Sequence, residues 1–383
     1  MCTKRRRSSK SRVGENSQID LVRMQGEKNL KKTKQLVIFG ICIGLILVGV
    51  VLAFFTPVSY FAMFPGDAID THQYVKVATK QPNEKGKFLL TTVSLKRASV
   101  LDYLFSFTSH EMKLVPESDI KSQDESDKEY ERRQEENMRE SQNHAIISAY
   151  HQAKKPIKVE HVGIEVFELT QNAKSGLKEG DLIQELDHQS MKESVKLLQY
   201  LQNKKAGEQV EVKFTRKNKP MIRKIKLVSL PVPKGQKPRA GLGIVPVDRV
   251  KVTSDPPARI KTEEIGGPSA GLMFSLEVMD QLLPEDLTRG YTVAGTGTIN
   301  EKGEVGQIGG IEFKVIAADR KGAQIFFCPK DQQSGDNNEK IAKEMAKRIN
   351  TKMKIVPVST LSEAVQYLRK QPTIALATKR SVA

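Results

Sequence analysis

Three hundred and eighty-three residues exceed one ordinary domain, so two or three are expected. With 38% hydrophobic and 28% charged residues, no Trp and three Cys, the composition is globular and excludes collagen, coiled-coil arrays and disulfide-knotted scaffolds. The formal charge of +17 does not mark a nucleic-acid partner: residues 1–35 hold eleven Lys/Arg against three Asp/Glu, and the rest of the excess is diluted along the chain.

The first predicted element is a transmembrane helix over 36–55, LVIFGICIGLILVGVVLAFF, twenty residues without a charge. A buried core helix would rarely lack every charged side chain over five turns. The basic tail 1–35 precedes it, and no Lys or Arg follows until Lys76. The positive-inside rule then leaves the tail in the cytoplasm and residues 56–383 outside the plasma membrane. The run is long for a cleaved signal peptide, so it is read as an uncleaved single-pass anchor.

Residues 56–150 are expected to form an extracellular β-rich stem followed by a charged helix. GKFLLTTVSLKRASVLD (86–102) is strand-like, and KSQDESDKEYERRQEENMRESQN (121–143) has mixed charge at helical spacings, read as a solvated helix with one thin apolar seam. Beyond Pro156 comes a strand at Val162–Phe167, the segment SGLKEGDLIQELD (175–187), an amphipathic stretch over 191–203 and EVKFTRK (211–217). PVPKGQKPRAG, of which 231–240 is assigned, reads as a linker. A last domain is expected over 241–370, and 371–383 is a polar tail.

The chemistry is constrained by what the last domain lacks. The six histidines end at His188, so neither a Ser-His-Asp triad nor an HExxH zinc site can form within it. Cys2, Cys42 and Cys328 supply no CxxC pair, and no GxxxxGK[ST] phosphate loop occurs. No metal and no cofactor is expected. What the domain has is Gly266-Gly267-Pro268-Ser269-Ala270-Gly271 entering an apolar helix. A serine at a helix start faces unpaired N–H groups, which suits a nucleophile and its oxyanion, and equally suits a helix cap. Further on, Lys314 follows Gly309-Gly310 and is flanked by Ile311, Ala317 and Ala318 at helical spacing. Apolar surroundings depress a lysine pKa, and a neutral amine can act as general base. A lysine with its head in water is the plainer reading.

The order of elements over 156–230, with GLKEGDLI at its centre, resembles a bacterial PDZ domain. That resemblance implies capture of a chain end by strand addition, in a groove lined by Val162 to Val166 and by the helix around Val195 and Leu198. The loop departs from the usual Gly-Leu-Gly-Phe pattern, and a mere spacer is the alternative. GGPSAG, AGTGTI (294–299) and GQIGG with a lysine four places beyond its second glycine together resemble the Ser–Lys proteolytic domain of Lon peptidases. The whole chain resembles the membrane-anchored, Lon-like PDZ proteases of Gram-positive bacteria. The resemblance implies an α+β chain ending in a Lon-type α/β domain, with Ser269 as nucleophile, Lys314 as general base and Thr296 helping to hold the lysine. It implies a serine endopeptidase acting without ATP on exported peptides or unfolded segments, with peptide or protein substrates as partners and a homo-oligomer left open. The competing reading is a non-catalytic, membrane-tethered PDZ scaffold. Ser175-Gly-Leu-Lys178 also fits an SxxK pattern, but its partner motifs are missing and the match is read as chance.

Overall fold

In the computed structural model, residues 11–78, 86–109, 111–122, 125–170, 173, 175–230, 239–262 and 265–374 are described, without side chains for 11–31 and 33. The start of the basic tail, 231–238 of the expected linker and the end of the terminal tail lie outside the described residues. The chain divides into two compact units, residues 1–65 with 93–125, and residues 66–92 with 126–383.

The first unit opens with helix α1 (Ser11–Phe55), whose segment Lys34–Phe55 has mean hydropathy 3.1 over its most apolar window and buries nothing within the protein. Strands β1 (Pro57–Asp70), β2 (Val75–Val77) and β3 (Lys87–Ser99) follow; β2 belongs to the second unit, and β1 and β3 run on from one unit to the other. Helix α2 (Val100–Phe105) starts in a capping box made by Ser99 and Asp102. Strand β4 (Lys113–Pro116) pairs antiparallel with Tyr60–Met63 of β1, and a single turn, α3 (Glu117–Ile120), closes the unit.

The second unit contains two large sheets and three two-stranded ones. Helix α4 (Asp127–Ala153) is started by a Ser126–Glu129 capping box. Its first half is polar, but Met138, Ser141 and every residue from Ala145 to Tyr150 are buried. The thin seam predicted over 121–143 holds, with Met138 and Ser141 buried, and it widens into a full core face from Ala145 onward. Next come β5 (Ile157–Leu169), β6 (Leu182–Leu186), β7 (Gln189–Ser190), α5 (Ser194–Gln202), β8 (Gln209–Arg216), β9 (Lys219–Lys226), β10 (Val228–Leu230), β11 (Arg239–Gly241) and β12 (Ile244–Ser254). These build an antiparallel sheet in the order β12-β5-β6-β8-β9, with β7 on β6. Alternation of Val210, Val212 and Phe214 with polar neighbours puts one face on a core shared with Leu197 and Leu201 of α5. Residues 244–254 pair with β5 along its whole length, so the segment expected to open the last domain belongs to this sheet. The Pro-rich stretch misplaced the boundary; chain alternation resumes beyond it.

Strand β13 (Ala258–Ile260) pairs with β2, and helix α6 (Gly271–Leu282) follows. Every residue of α6 is buried, as befits a helix apolar on nearly all sides. Its four polar members are satisfied: Ser275 Oγ donates to the Gly271 carbonyl, Glu277 accepts from Thr71 and Gln281, Gln281 bonds the backbone of Val75 and Val77, and Asp280 accepts from Leu287 N–H. The remaining elements are β14 (Thr292–Gly295), β15 (Thr298–Ile299), β16 (Val305–Gly306), α7 (Ile311–Arg320), β17 (Ile325–Pro329), α8 (Asn338–Arg348), β18 (Lys354–Val358) and α9 (Leu361–Arg369).

Strands β18, β17, β14 and residues 87–90 of β3 form a parallel sheet in that order. The run Ile-Phe-Phe-Cys of β17 is wholly buried, the signature of a parallel strand covered on both faces. Phe88, Leu90, Val293, Phe327 and Val358 join α4, α6 and α9 in one core. Residues read from the sequence as part of a stem are thus an inner strand of the C-terminal sheet. A strand that waits two hundred residues for its partner gives no local sign of that partner.

Candidate active site

Three short segments meet at the start of α6. The first is Gly266–Ala270, held from outside by α4: Gly267 N–H donates to the Gln134 carbonyl at 2.9 Å, and Ser141 Oγ donates to the Pro268 carbonyl at 3.0 Å. Gly267 has φ +84, a conformation that excludes most side chains. At Gly271 a Cβ would stand 2.8 Å from Ile299 Cγ2 and 2.9 Å from Ser141 Oγ, so the helix start lies hard against its neighbours. Ser269 does not cap the helix. The cap position is Ala270, with no side-chain bond.

The second segment, Gly295-Thr296-Gly297, clamps the backbone of Ser269. Thr296 Oγ1 donates to the Ser269 carbonyl at 3.0 Å and Gly297 N–H donates to the same oxygen at 2.9 Å, while Leu272 N–H bonds the Gly297 carbonyl. The hydroxyl of Thr296 is therefore directed at the serine backbone rather than at the lysine that the resemblance assigned to it.

The third segment supplies Lys314. Gly310, left-handed at φ 68, turns the chain into α7, and Lys314 sits in its first turn on the buried face with Ile311, Phe313 and Ala318. Its Nζ is 2.9 Å from Ser269 Oγ and donates to the Thr91 carbonyl at 2.8 Å. Burial pushes the ammonium down to about 7 from its ordinary 10.5. The two residues singled out from the sequence are thus brought together. Thr91 was missed, because its contribution is a main-chain carbonyl within strand β3, and no side-chain pattern marks it.

A polar groove of about 730 Å³ opens beside Pro268, lined by Ser141, His144, Thr298, Ile299, Glu304 and Gln307 among others. Pro268, the residue before the serine, is the part of that segment that lines it. With a half-buried hydroxyl and a buried amine at its side, the site has a nucleophile and a base placed for acyl transfer.

A second groove lies on the antiparallel sheet. Val162–Val166 cannot form its open edge: β5 is paired with β12 on one side and β6 on the other, and Ile164 and Val166 are buried. The free edge belongs to β12, beside α5, where Ser194 N–H donates to Asp248 Oδ1 at 2.7 Å. Val195, Leu198 and Val245 are exposed there. Leading into β12 is Gly241-Leu242-Gly243-Ile244, one residue type away from the Gly-Leu-Gly-Phe pattern that the sequence reading looked for elsewhere. Gly243 is left-handed at φ +74, and its carbonyl accepts from Thr170 N–H.

Helix α4 touches both places. Arg249 of β12 reaches Glu136 at 2.5 and 3.0 Å and also pairs with Glu165, while Arg132 donates to the Phe167 carbonyl at 2.8 Å.

Comparison with known proteins agrees with this division. Residues 263–370 match the family model of the Lon protease (S16) C-terminal proteolytic domain, and residues 141–227 that of the PDZ domain. The Lon protease of Neorickettsia sennetsu is 34% identical over 108 residues, 28% of this chain and 12% of that protein. That of Chloroflexus aggregans is 31% identical over 109 residues, again 28% of this chain and 12% of the relative. The chain thus spans about an eighth of the length of these curated relatives. The crystal structure of the PDZ domain of an SdrC-like protein from Listeria monocytogenes is 30% identical, covering 24% of this chain and 93% of that one, with a TM-score of 0.20. The matches support a serine peptidase. The chain is a mixed α/β protein with one N-terminal apolar helix, and it carries a PDZ domain and a Lon-type C-terminal proteolytic domain.

Proposed function

We propose that this chain is a membrane-anchored serine endopeptidase that works without ATP, with Ser269 as nucleophile and Lys314 as general base. The observation that carries this reading is the 2.9 Å approach of a water-free lysine amine to a serine hydroxyl, with no histidine in the domain to compete for the role. The Thr91 carbonyl takes one N–H of Lys314, which turns the lone pair of the neutral amine toward Ser269.

In acylation, Lys314 takes the hydroxyl proton as Ser269 Oγ bonds to the scissile carbonyl carbon, and backbone N–H groups near Ser269 stabilise the oxyanion. The C–N bond then breaks, and Lys314 returns the proton to the leaving amine. A water molecule, deprotonated by the same amine, hydrolyses the ester and restores the serine. The lack of a GxxxxGK[ST] loop in these 383 residues supports the ATP-independent reading. We assign the substrates to exported peptides or unfolded segments, held by the groove between β12 and α5 and thereby concentrated at the cleft. The excess of Lys and Arg ahead of the apolar run 36–55 supports a cytoplasmic tail, with residues 56–383 outside the cell. A tethered scaffold would not need a dehydrated lysine beside a serine.

The test is cleavage of a secreted-peptide pool, read by mass spectrometry, with the full chain in lipid nanodiscs and no nucleotide. Wild type cleaves; Ser269→Ala and Lys314→Ala each lose roughly a thousandfold or more in kcat/KM. Equal activity in Ser269→Ala and wild type overturns the assignment.

A further inference from the structure

Four large apolar side chains stand in solvent on and just after α2: Tyr103 is 39% exposed, Leu104 58%, Phe105 61% and Phe107 75%. An exposed run of this kind on a protein surface marks something that covers it. The segment is also firmly placed. Asp102 N–H and Ser99 Oγ close the capping box, Lys96 pairs with Asp102 at 2.9 Å, and Ser106 and Ser109 N–H groups bond back into the helix.

Its position identifies the cover. Val100 N–H donates to the carbonyl of Thr56 at 3.1 Å, and Thr56 Oγ1 donates back to Leu52 of α1 at 2.7 Å. Helix α2 therefore begins at the point where the apolar helix α1 ends. Aromatic rings collect there: Phe54 and Phe55 close α1 with centroids 5.2 Å apart, Tyr60 lies 5.9 Å from Tyr103, and Tyr103 lies 5.6 Å from Phe107. Aromatic side chains gathered at one end of a membrane span are suited to the headgroup layer, where the rings are buried and polar tips stay wet.

We propose that α2 is a membrane-docking element. It lies in the boundary between headgroups and acyl chains of the leaflet that α1 leaves, with Leu104, Phe105 and Phe107 inserted among the lipids. The proposal rests on the reading of α1 as a membrane span and adds a second, interfacial contact to it. One contact through a single helix lets the unit swivel; a second contact one residue from the first fixes its orientation to the bilayer.

Because the chain has no Trp, single substitutions give single-tryptophan proteins. Full-length Phe107→Trp, Phe54→Trp and Ile222→Trp are placed in phosphatidylcholine–phosphatidylglycerol vesicles, with and without brominated acyl chains. Ile222 on β9 is the exposed reference. The expected result is a blue-shifted Phe107→Trp emission that brominated lipid quenches at least about half as strongly as Phe54→Trp, while Ile222→Trp answers only to aqueous iodide. If Phe54→Trp is quenched by lipid but Phe107→Trp by iodide, the span stands and the docking proposal falls. If Phe107→Trp is shielded from both quenchers, another protein surface covers α2, and the proposal falls equally. If Phe54→Trp itself ignores brominated lipid, the span reading fails and takes this one with it.

Discussion

The side chain of Lys314 ends 2.8 Å from the carbonyl oxygen of Thr91, a residue 223 positions earlier in the chain. The contact occupies one N–H of the amine whether or not it is charged, so loss of a proton does not release the side chain.

With its pKa pushed down to about 7, the amine is largely neutral above neutral pH. Because the base form is the neutral one, kcat/KM should rise with an apparent pKa near 7, whereas an unperturbed lysine would leave activity climbing toward 10.5. Initial rates on a fluorogenic peptide between pH 5.5 and 9, in units of about half a pH step, check this.

The same burial sets a stability gradient. Between about 7 and 10.5 the unfolded chain holds a proton on Lys314 that the folded chain has released, so stability rises with pH across that window. Below it both states are protonated, and the full cost of burying the charge remains. Lys314→Met removes this dependence. Its melting temperature relative to wild type should therefore move upward as pH falls from 9 to 6, measured by scanning calorimetry on both proteins.

Gly271 admits no Cβ without displacing Ile299 or Ser141. Gly271→Ala should cost about 1–3 kcal/mol in urea unfolding and at least about tenfold in kcat, because the shift is felt one turn from Ser269. The same change at Gly309, where nothing lies within 4 Å of a Cβ, serves as control.

Arg249 is largely buried and is the shared partner of Glu136 and Glu165. Its hydrogen bond holds Glu165 below the usual carboxylate range. Arg249→Met leaves two carboxylates facing each other and should cost about 3 kcal/mol at neutral pH. Since a carboxylate depressed by its partner stabilises the fold only while ionised, the difference from wild type should shrink as pH drops below the ordinary value of 4.5. Chemical denaturation at pH 7 and pH 4 measures both.

Val195 and Leu198 face the open edge of β12 without entering the core. Val195→Asp or Leu198→Lys should leave stability within about 0.5 kcal/mol. Either should raise KM for peptides that the groove holds, while kcat for a short peptide bound only at the cleft stays unchanged. Isothermal titration with the same peptides separates binding from turnover.

What the sequence disclosed follows from how local each signal is. Ser269 and Lys314 each sit at the start of a helix announced by glycines, so the motif and the geometry are written in the same few residues. Thr91 acts through its main chain on a strand that has β1 on one side and, on the other, a partner beyond 290, and the strand reads as a stem for that reason. The glycine loop before β12 was hidden by expectation of order: its strand follows the rest of the sheet in the chain instead of preceding it, and a Pro-rich stretch intervenes. The charged first half of α4 masked a second half that fills the core, because thin periodicity in sequence does not reveal how wide a face α6 will cover.

The pairing of Lys87–Leu90 with Thr292–Gly295 has a temporal side. A ribosome finishes the strand that carries Thr91 about 200 residues before the strand beside it, at a pace of roughly 5–20 residues per second. For that interval, on the order of ten seconds or more, the intervening antiparallel sheet can fold alone while the sheet that holds the lysine cannot close. The contact between Thr91 and Lys314 thus joins a segment made early to one made late, and it cannot exist before residue 314 has left the ribosome.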